Sequence, residues 1–103
     1  MGLFGRSIDP EDLIYKAMGL LEKGQPKPAI SLLKKAVKVD PKNVSALYNQ
    51  GLALNQIKKY QDAITCFDRV LEIKSNDAPS YNNRAIAMAE IGNIDGAMEY
   101  YER

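Results

Sequence analysis

The side chains that carry most enzyme chemistry are scarce in this chain. It has no histidine, and Cys66 is its only cysteine, so the commonest general base and metal ligand is missing. Acidic side chains such as Asp62, Asp68 and Glu72 are spread along the sequence, and no pattern holds two carboxylates in one pocket. Neither a glycine-rich phosphate loop nor a metal-ligand spacing occurs. We therefore expect no enzyme activity, no cofactor and no metal site.

Side-chain amides offer a different chemistry, which is hydrogen bonding to a peptide backbone. Asn49 and Asn83 lie 34 residues apart, and each amide can both donate and accept a hydrogen bond. Projecting from equivalent positions of two repeated units, the two side chains would form a ladder along an extended peptide. The alternative is that these asparagines simply solvate an exposed helical face.

A repeat of 34 residues runs through the sequence without a gap and provides such equivalent positions. Its columns hold residues of similar size, which are Ala29, Ala63 and Ala97; Leu33, Phe67 and Tyr101; Ala17, Gly51 and Ala85; and Leu20, Leu54 and Met88. A fixed period in this range is typical of stacked helical repeats, which bury a continuous core only by packing on their neighbours. The predicted units are residues 10–43, 44–77 and 78–103, preceded by an extension of residues 1–9.

Each unit is predicted to contain two helices, giving six in all and no strand. Apolar residues recur at three- and four-residue steps throughout, as in amphipathic helices. Asp9, Asn43 and Asp77 are expected to cap the first helix of each unit. Gly24 is expected to end the first helix, and Gly92 the fifth, because glycine readily adopts the left-handed conformation found there. The sixth helix should then begin near Ile94.

The columns resemble the tetratricopeptide repeat. The second unit carries the resemblance best, with Leu47, Gly51, Leu54, Tyr60, Ala63 and Phe67. The resemblance implies an all-α, right-handed superhelix of antiparallel helix pairs, an α-solenoid with two full repeats and a truncated third. It further implies a non-enzymatic scaffold that binds a protein or peptide in a concave groove. Transferred column by column, the groove residues are Ile14, Met18, Tyr48, Asn49, Leu52, Asn55, Asn82, Asn83 and Ile86.

The best-known groove chemistry of this family, a cationic cluster that grips the C-terminal carboxylate of heat-shock chaperones, is largely missing. The cluster would take two of its residues from the first unit, where this chain has Ile14 and Met18 instead. It would take two more from the third unit, where this chain has Pro79 and Asn83. Only the middle asparagine, Asn49, is retained. The resemblance therefore does not predict binding of that carboxylate tail.

Charge is distributed unevenly along the repeats. Residues 10–43 contain seven lysines and four acidic residues, whereas residues 78–103 contain two arginines and four acidic residues. No arginine or aromatic residue interleaves the lysines around Lys34, so we interpret them as a solvated face and predict no nucleic-acid partner.

No apolar stretch is long enough to span a membrane. A single cysteine cannot form an internal disulfide, which favours a cytoplasmic location.

Two alternatives to groove binding remain open at this stage. Stacked repeats usually end in a helix with a polar outer face, and the third unit has no such helix. Its apolar residues Ile86, Ile91, Ile94 and Met98 are therefore candidates for a self-association surface that forms a homodimer. The second alternative is that the domain serves as a docking arm of a larger protein.

Overall fold

The computed structural model describes the backbone of residues 8–102 and the side chains of residues 8–95. Most of the predicted 1–9 extension and the Met98 side chain lie outside the described residues. The elements are α1 (Pro10–Glu22), α2 (Pro26–Val39), α3 (Val44–Gln56), α4 (Tyr60–Ile73) and α5 (Ala78–Glu102). The described part of the chain contains no strand, so the all-α expectation is confirmed.

Polar caps begin the first helix of each repeat, as the sequence predicts. The Asp9 carboxylate accepts a hydrogen bond from the Glu11 backbone N–H at 3.0 Å, and the Asn43 side chain accepts one from Ala46 N–H at 3.0 Å. The Asp77 carboxylate accepts from the Ser80 hydroxyl at 2.5 Å and from its backbone N–H at 3.2 Å. These hydrogen bonds from Ser80 hold the pKa of Asp77 below its usual value.

Small residues allow the two helices of each pair to approach closely. Ala17 of α1 and Ala29 of α2 are both fully buried, as is Ala63 of α4. A methyl group at Gly51 of α3 would lie 2.7 Å from a ring carbon of Phe67, so only glycine fits against that ring. The core is therefore a column of close contacts between neighbouring helices, surrounded by larger apolar side chains.

The prediction of six helices is wrong, because α5 runs through Gly92 without a break. The equivalent positions in the first two repeats, Gly24 and Lys58, have φ values of +73° and +65° and turn the chain back. Each second helix there packs on its own first helix and on the first helix of the next repeat. The described residues provide no next helix for the third repeat. Extending α5 costs no new helix nucleus, so the chain continues straight.

Positions 24, 58 and 92 form one column of the repeat, which we call the turn column. Substitutions at the first two of these positions are predicted to change stability in opposite directions. Lys58 holds a left-handed conformation that costs a non-glycine residue roughly 1–2 kcal/mol, so Lys58→Gly should raise the free energy of unfolding by about 0.5–1 kcal/mol. Gly24→Ala should lower it by about 1 kcal/mol for the same reason. Urea denaturation of both variants measures the change.

Gly19→Ala is the matched control for this pair. A methyl group at Gly19 or at Gly24 meets no atom within 4 Å, so the two substitutions differ only in backbone conformation. Gly19 lies inside α1, where alanine is favoured by roughly 0.5–1 kcal/mol. Equal effects at positions 19 and 24 would contradict the strain argument.

Candidate functional site

The first helices of the repeats, α1, α3 and α5, line one face of the molecule, which we call the concave face. Between α1 and α3 this face carries a shallow cleft of about 280 Å³. The residues that line it are Met18, Leu21, Glu22, Asn49, Leu52 and Gln56. The lining thus combines three apolar side chains with two amides and one carboxylate, and it includes no cationic side chain.

Hydrogen bonds between α3 and α5 order the next part of the concave face. Asn83 donates from its side-chain nitrogen to the Tyr48 hydroxyl at 3.1 Å, and Asn55 donates to the Asn83 backbone carbonyl at 3.3 Å. The Tyr48 ring packs edge-on against Phe67, with ring centroids 5.9 Å apart. Asn55 Oδ1 is buried without a hydrogen-bond partner in the described part of the chain. Hydrogen-bonded polar side chains therefore line this part of the concave face, and Tyr48 connects them to the core through its contact with Phe67.

The two ladder asparagines have the same geometry one repeat apart. Asn49 donates to the Ser45 carbonyl at 2.8 Å, and Asn83 donates to the Pro79 carbonyl at 2.8 Å. The second N–H of Asn83 goes to Tyr48. Because these donors are used within the protein, the side chains keep mainly their oxygen atoms for a ligand. The predicted ladder stays a prediction, now of a ladder that would offer a ligand mainly acceptors.

Two of the predicted groove residues, Ile14 and Asn49, are buried, at 3% and 8% exposure. Ile14 packs in a cluster with Ala17, Leu33 and Ala46. Because α3 packs on α1, the side chain of Ile14 is covered by the second repeat. Of the other predicted groove residues, Met18 is 43% exposed and Ile86 is 54% exposed. Asn82 is also exposed, and neither it nor Ile86 lines the α1–α3 cleft.

Of the predicted self-association residues whose side chains are described, Ile91 lines a cleft that Ile86 and Ile94 do not line. Ile91 and Met88 line a cleft of about 340 Å³ between α4 and α5, together with Gln61, Ile64, Asp68 and Arg84. Ile86 and Ile94 are about half exposed but do not line this cleft. Met88, which is 49% exposed, was not predicted in the self-association set. The sequence could have indicated Met88, because Leu20 and Leu54 occupy the same apolar column in the first two repeats.

A third cleft, lined by residues of α2, α3 and α4, was not predicted from the sequence. It encloses about 400 Å³, and its lining includes Lys34, Lys59, Asp62, Cys66 and Arg69. These residues are brought together by packing, so no local sequence signal could have revealed the cleft. Burial raises the pKa of the Cys66 thiol to about 11. The thiol therefore stays protonated at neutral pH and is a poor nucleophile.

Two further features are absent from the described part of the chain. Within the residues that the structure describes, no three His, Cys, Asp or Glu side chains cluster in a way that could hold a metal ion. Among the same residues, no helix has the length and apolar character needed to cross a membrane.

Comparison with known proteins assigns this architecture. Its stacked, close-packed helix pairs define a helical-repeat protein of the class that typically serves as a non-enzymatic interaction module. A sequence profile of the tetratricopeptide repeat family matches residues 16–79, and the chain belongs to that family. The resemblance seen in the sequence and the predicted superhelical fold are thereby confirmed. No curated protein sequence matches the chain significantly.

Solved structures show the same fold. The first tetratricopeptide domain of Spaghetti (RPAP3), bound to the HSP90 peptide SRMEEVD, is similar with a TM-score of 0.80 and 20% identity, covering 82% of this chain and 67% of that one. MamA is similar with a TM-score of 0.79 and 30% identity, covering 91% and 55%. The Sgt2 domain from Aspergillus fumigatus is similar with a TM-score of 0.80 and 22% identity, covering 84% and 59%. The chain thus spans little more than half the length of the MamA and Sgt2 chains.

Proposed function

We propose that residues 10–103 form a non-enzymatic scaffold that binds an extended segment of another protein on the concave face. The observation that carries the proposal is the α1–α3 cleft, whose lining includes Met18, Leu52 and the largely buried Asn49. An apolar pocket can take one side chain of the segment, and the asparagine oxygens can accept its backbone N–H groups. The single buried thiol of Cys66 supports a cytoplasmic location for this scaffold.

The chemistry of the lining favours a segment without an acidic tail. The α1–α3 cleft contains Glu22 and no cationic side chain in its lining. RPAP3 domains bind the HSP90 peptide SRMEEVD and the HSP70 peptide SGPTIEEVD. In this chain, Ile14 is buried and Pro79 and Asn83 replace the expected cations. We therefore propose a ligand with an apolar anchor and neutral or basic neighbours.

A selected peptide tests the groove directly. A random peptide library displayed on phage supplies a binder, and ¹⁵N-detected NMR titration maps its contacts, with SRMEEVD as the comparison peptide. We expect the selected peptide to shift resonances of Met18, Tyr48 and Leu52, and SRMEEVD to cause no shift there. Shifts confined to Lys34 and Arg69, which line the third cleft, would refute the proposal.

The asparagine ladder predicts a loss of affinity in a double variant. Each lost hydrogen bond contributes about 0.5–1.5 kcal/mol, so Asn49→Ala with Asn83→Ala should weaken the selected peptide by about 5- to 150-fold. Calorimetric titration measures the affinity, and circular dichroism verifies that the double variant remains folded. The control is Asn76→Ala with Asn93→Ala, because both side chains are exposed outside the lining of the α1–α3 cleft. Equal affinity of the double variant and the parent would rule the ladder out.

A second candidate function is self-association, and the different exposure of equivalent residues in α3 and α5 favours it. Leu47 and Leu54 of α3 are buried, at 0% and 6% exposure, whereas Tyr81 and Met88 in the same columns of α5 are 52% and 49% exposed. Exposed apolar surface of this kind tends to be covered by a partner. Sedimentation over a wide concentration range tests the idea, which requires a species heavier than the 11.5 kDa monomer.

A further inference from the structure

The third cleft carries a surplus of positive charge. Its lining includes three cationic side chains, Lys34, Lys59 and Arg69, and one carboxylate, that of Asp62. Among the side chains of residues 8–95, none of these four groups forms an ion pair. A cleft of about 400 Å³ has the size of a ligand pocket, and its surplus of positive charge attracts anions.

The cleft between α4 and α5 shows how an equivalent position is neutralised within the chain. Five residues that line the third cleft have their equivalents, 34 residues further on, in the lining of that cleft. There, Arg84 Nε and Asp68 Oδ1 form an ion pair at 2.5 Å. In the third cleft the same two columns hold Gln50 and Lys34. The ammonium group of Lys34 therefore has a neutral amide where its equivalent has an opposite charge, which leaves it available to a ligand.

The cations are spread along the cleft, which indicates a ligand with more than one anionic group. Lys59 directly precedes α4, and Arg69 lies ten residues further on, a distance of about 15 Å along a helix axis. Burial raises the pKa of the Cys66 thiol, while the charges of Arg69 and Lys34 lower it, so both cations lie close to Cys66. Apolar side chains of the same lining add a surface for an apolar group, and these are Ile30, Leu54 and Ile57.

We propose that the third cleft binds an acidic, extended segment of a partner protein, whose carboxylates contact Lys59 at one end and Lys34 and Arg69 at the other. Extended chain rises about 3.3 Å per residue, so about four or five residues separate the two acidic groups. Nucleic acid matches less well, because the lining contains no aromatic side chain for base stacking and the Asp62 carboxylate repels phosphate. The third cleft shares no lining residue with the α1–α3 cleft, so this site is additional to the proposed groove and does not depend on it.

NMR titration of the ¹⁵N-labelled protein with synthetic peptides tests the site. The probe is the acetylated and amidated peptide GEEGLGEEG, and its controls are GQQGLGQQG, which lacks the carboxylates, and GEEGSGEEG, which lacks the apolar side chain. We expect the probe to shift resonances of Lys34, Thr65 and Arg69, and both controls to bind more weakly. No shift with the probe, equal binding of either control, or shifts at Met18 and Leu52 instead would overturn the proposal. Tighter binding of a short oligothymidine to the same residues would overturn it in favour of nucleic acid.

Substitutions of opposite charge at one position test the role of Lys34. Gln50→Glu gives Lys34 the counter-charge that Arg84 gives Asp68, whereas Gln50→Arg adds a further cation to the cleft. We expect Gln50→Glu to weaken binding of the probe and Gln50→Arg to strengthen it, by about 1.4- to 5-fold each. Equal affinity of the two variants would contradict the proposed contact.

A double variant with a matched control separates the cleft from general charge attraction. Lys34→Gln with Arg69→Gln should weaken the probe by about 2- to 30-fold. The control, Lys35→Gln with Lys38→Gln, removes the same charge from exposed side chains of α2 outside the lining and should leave the affinity unchanged. Circular dichroism verifies that both variants are folded. An equal loss of affinity in the two double variants would overturn the proposed site.

Discussion

Phe67→Ala is expected to lower the free energy of unfolding by about 3–5 kcal/mol, the range for removing a buried aromatic ring. Phe67 is fully buried in the cluster that includes Ile30, Ala53 and Ala63. The ring also supports Tyr48 edge-on, so its loss leaves a cavity that the helices can fill only in part. For a domain of this size, total stability is about 5–15 kcal/mol, so the loss is a large fraction of it. Urea denaturation followed by circular dichroism measures the change.

Two further variants make the Phe67 prediction specific. Tyr15→Ala removes an aromatic side chain that is 79% exposed, so we expect a change within about 0.5 kcal/mol. Gly51→Ala should be tolerated better in the Phe67→Ala background than in the parent, because the new methyl group would occupy space that the ring fills at 2.7 Å. A double-mutant cycle without coupling between positions 51 and 67 would contradict the proposed contact.

Ala63→Leu is expected to destabilise the protein by about 1–3 kcal/mol through overpacking. Ala63 has no exposed surface and lies in the same cluster as Phe67, so a larger side chain must push α3 and α4 apart. In a domain of this size, each kcal/mol lowers Tm by roughly 4–8 °C. Differential scanning calorimetry measures this shift directly.

Ala89→Leu provides the control for the overpacking prediction. Ala89 is an exposed alanine on α5, so its replacement by leucine should change the free energy of unfolding by no more than about 0.5 kcal/mol. An unchanged Tm for Ala63→Leu would mean that the helix-pair register proposed from the alanine columns is incorrect.

Much of the fold could be predicted because its signals are local and periodic. The capping residues Asp9, Asn43 and Asp77 begin α1, α3 and α5 as expected, since a side-chain oxygen can satisfy a free N–H wherever the chain starts a helix. The spacing of alanine and leucine columns likewise identified the paired helices and, by resemblance, the family. These features depend on residues a few positions apart or on strict repetition, and both are readable without coordinates.

The candidate site was predicted less well because burial depends on neighbouring repeats. Ile14, Tyr48 and Asn82 share one column, yet Ile14 is buried, Tyr48 is half-buried and Asn82 is exposed. The number of helices packed on each position decides this difference, and the column alone does not encode it. One of the two hydrogen bonds that Asn83 donates has the same origin, because it reaches Tyr48 in the preceding repeat, whereas the other goes to Pro79 in the same helix.

The turn column separates what the sequence determined from what packing decided. The 34-residue period by itself determined that positions 24, 58 and 92 are equivalent, and it predicted that two helices meet at each of them. Glycine favours a turn at positions 24 and 92, whereas lysine resists one at position 58. The structure turns at Gly24 and Lys58 and continues as a helix at Gly92. Tertiary packing decides the turn at Lys58, because α4 packs on both α3 and α5 and the apolar surface that it buries there outweighs the backbone strain.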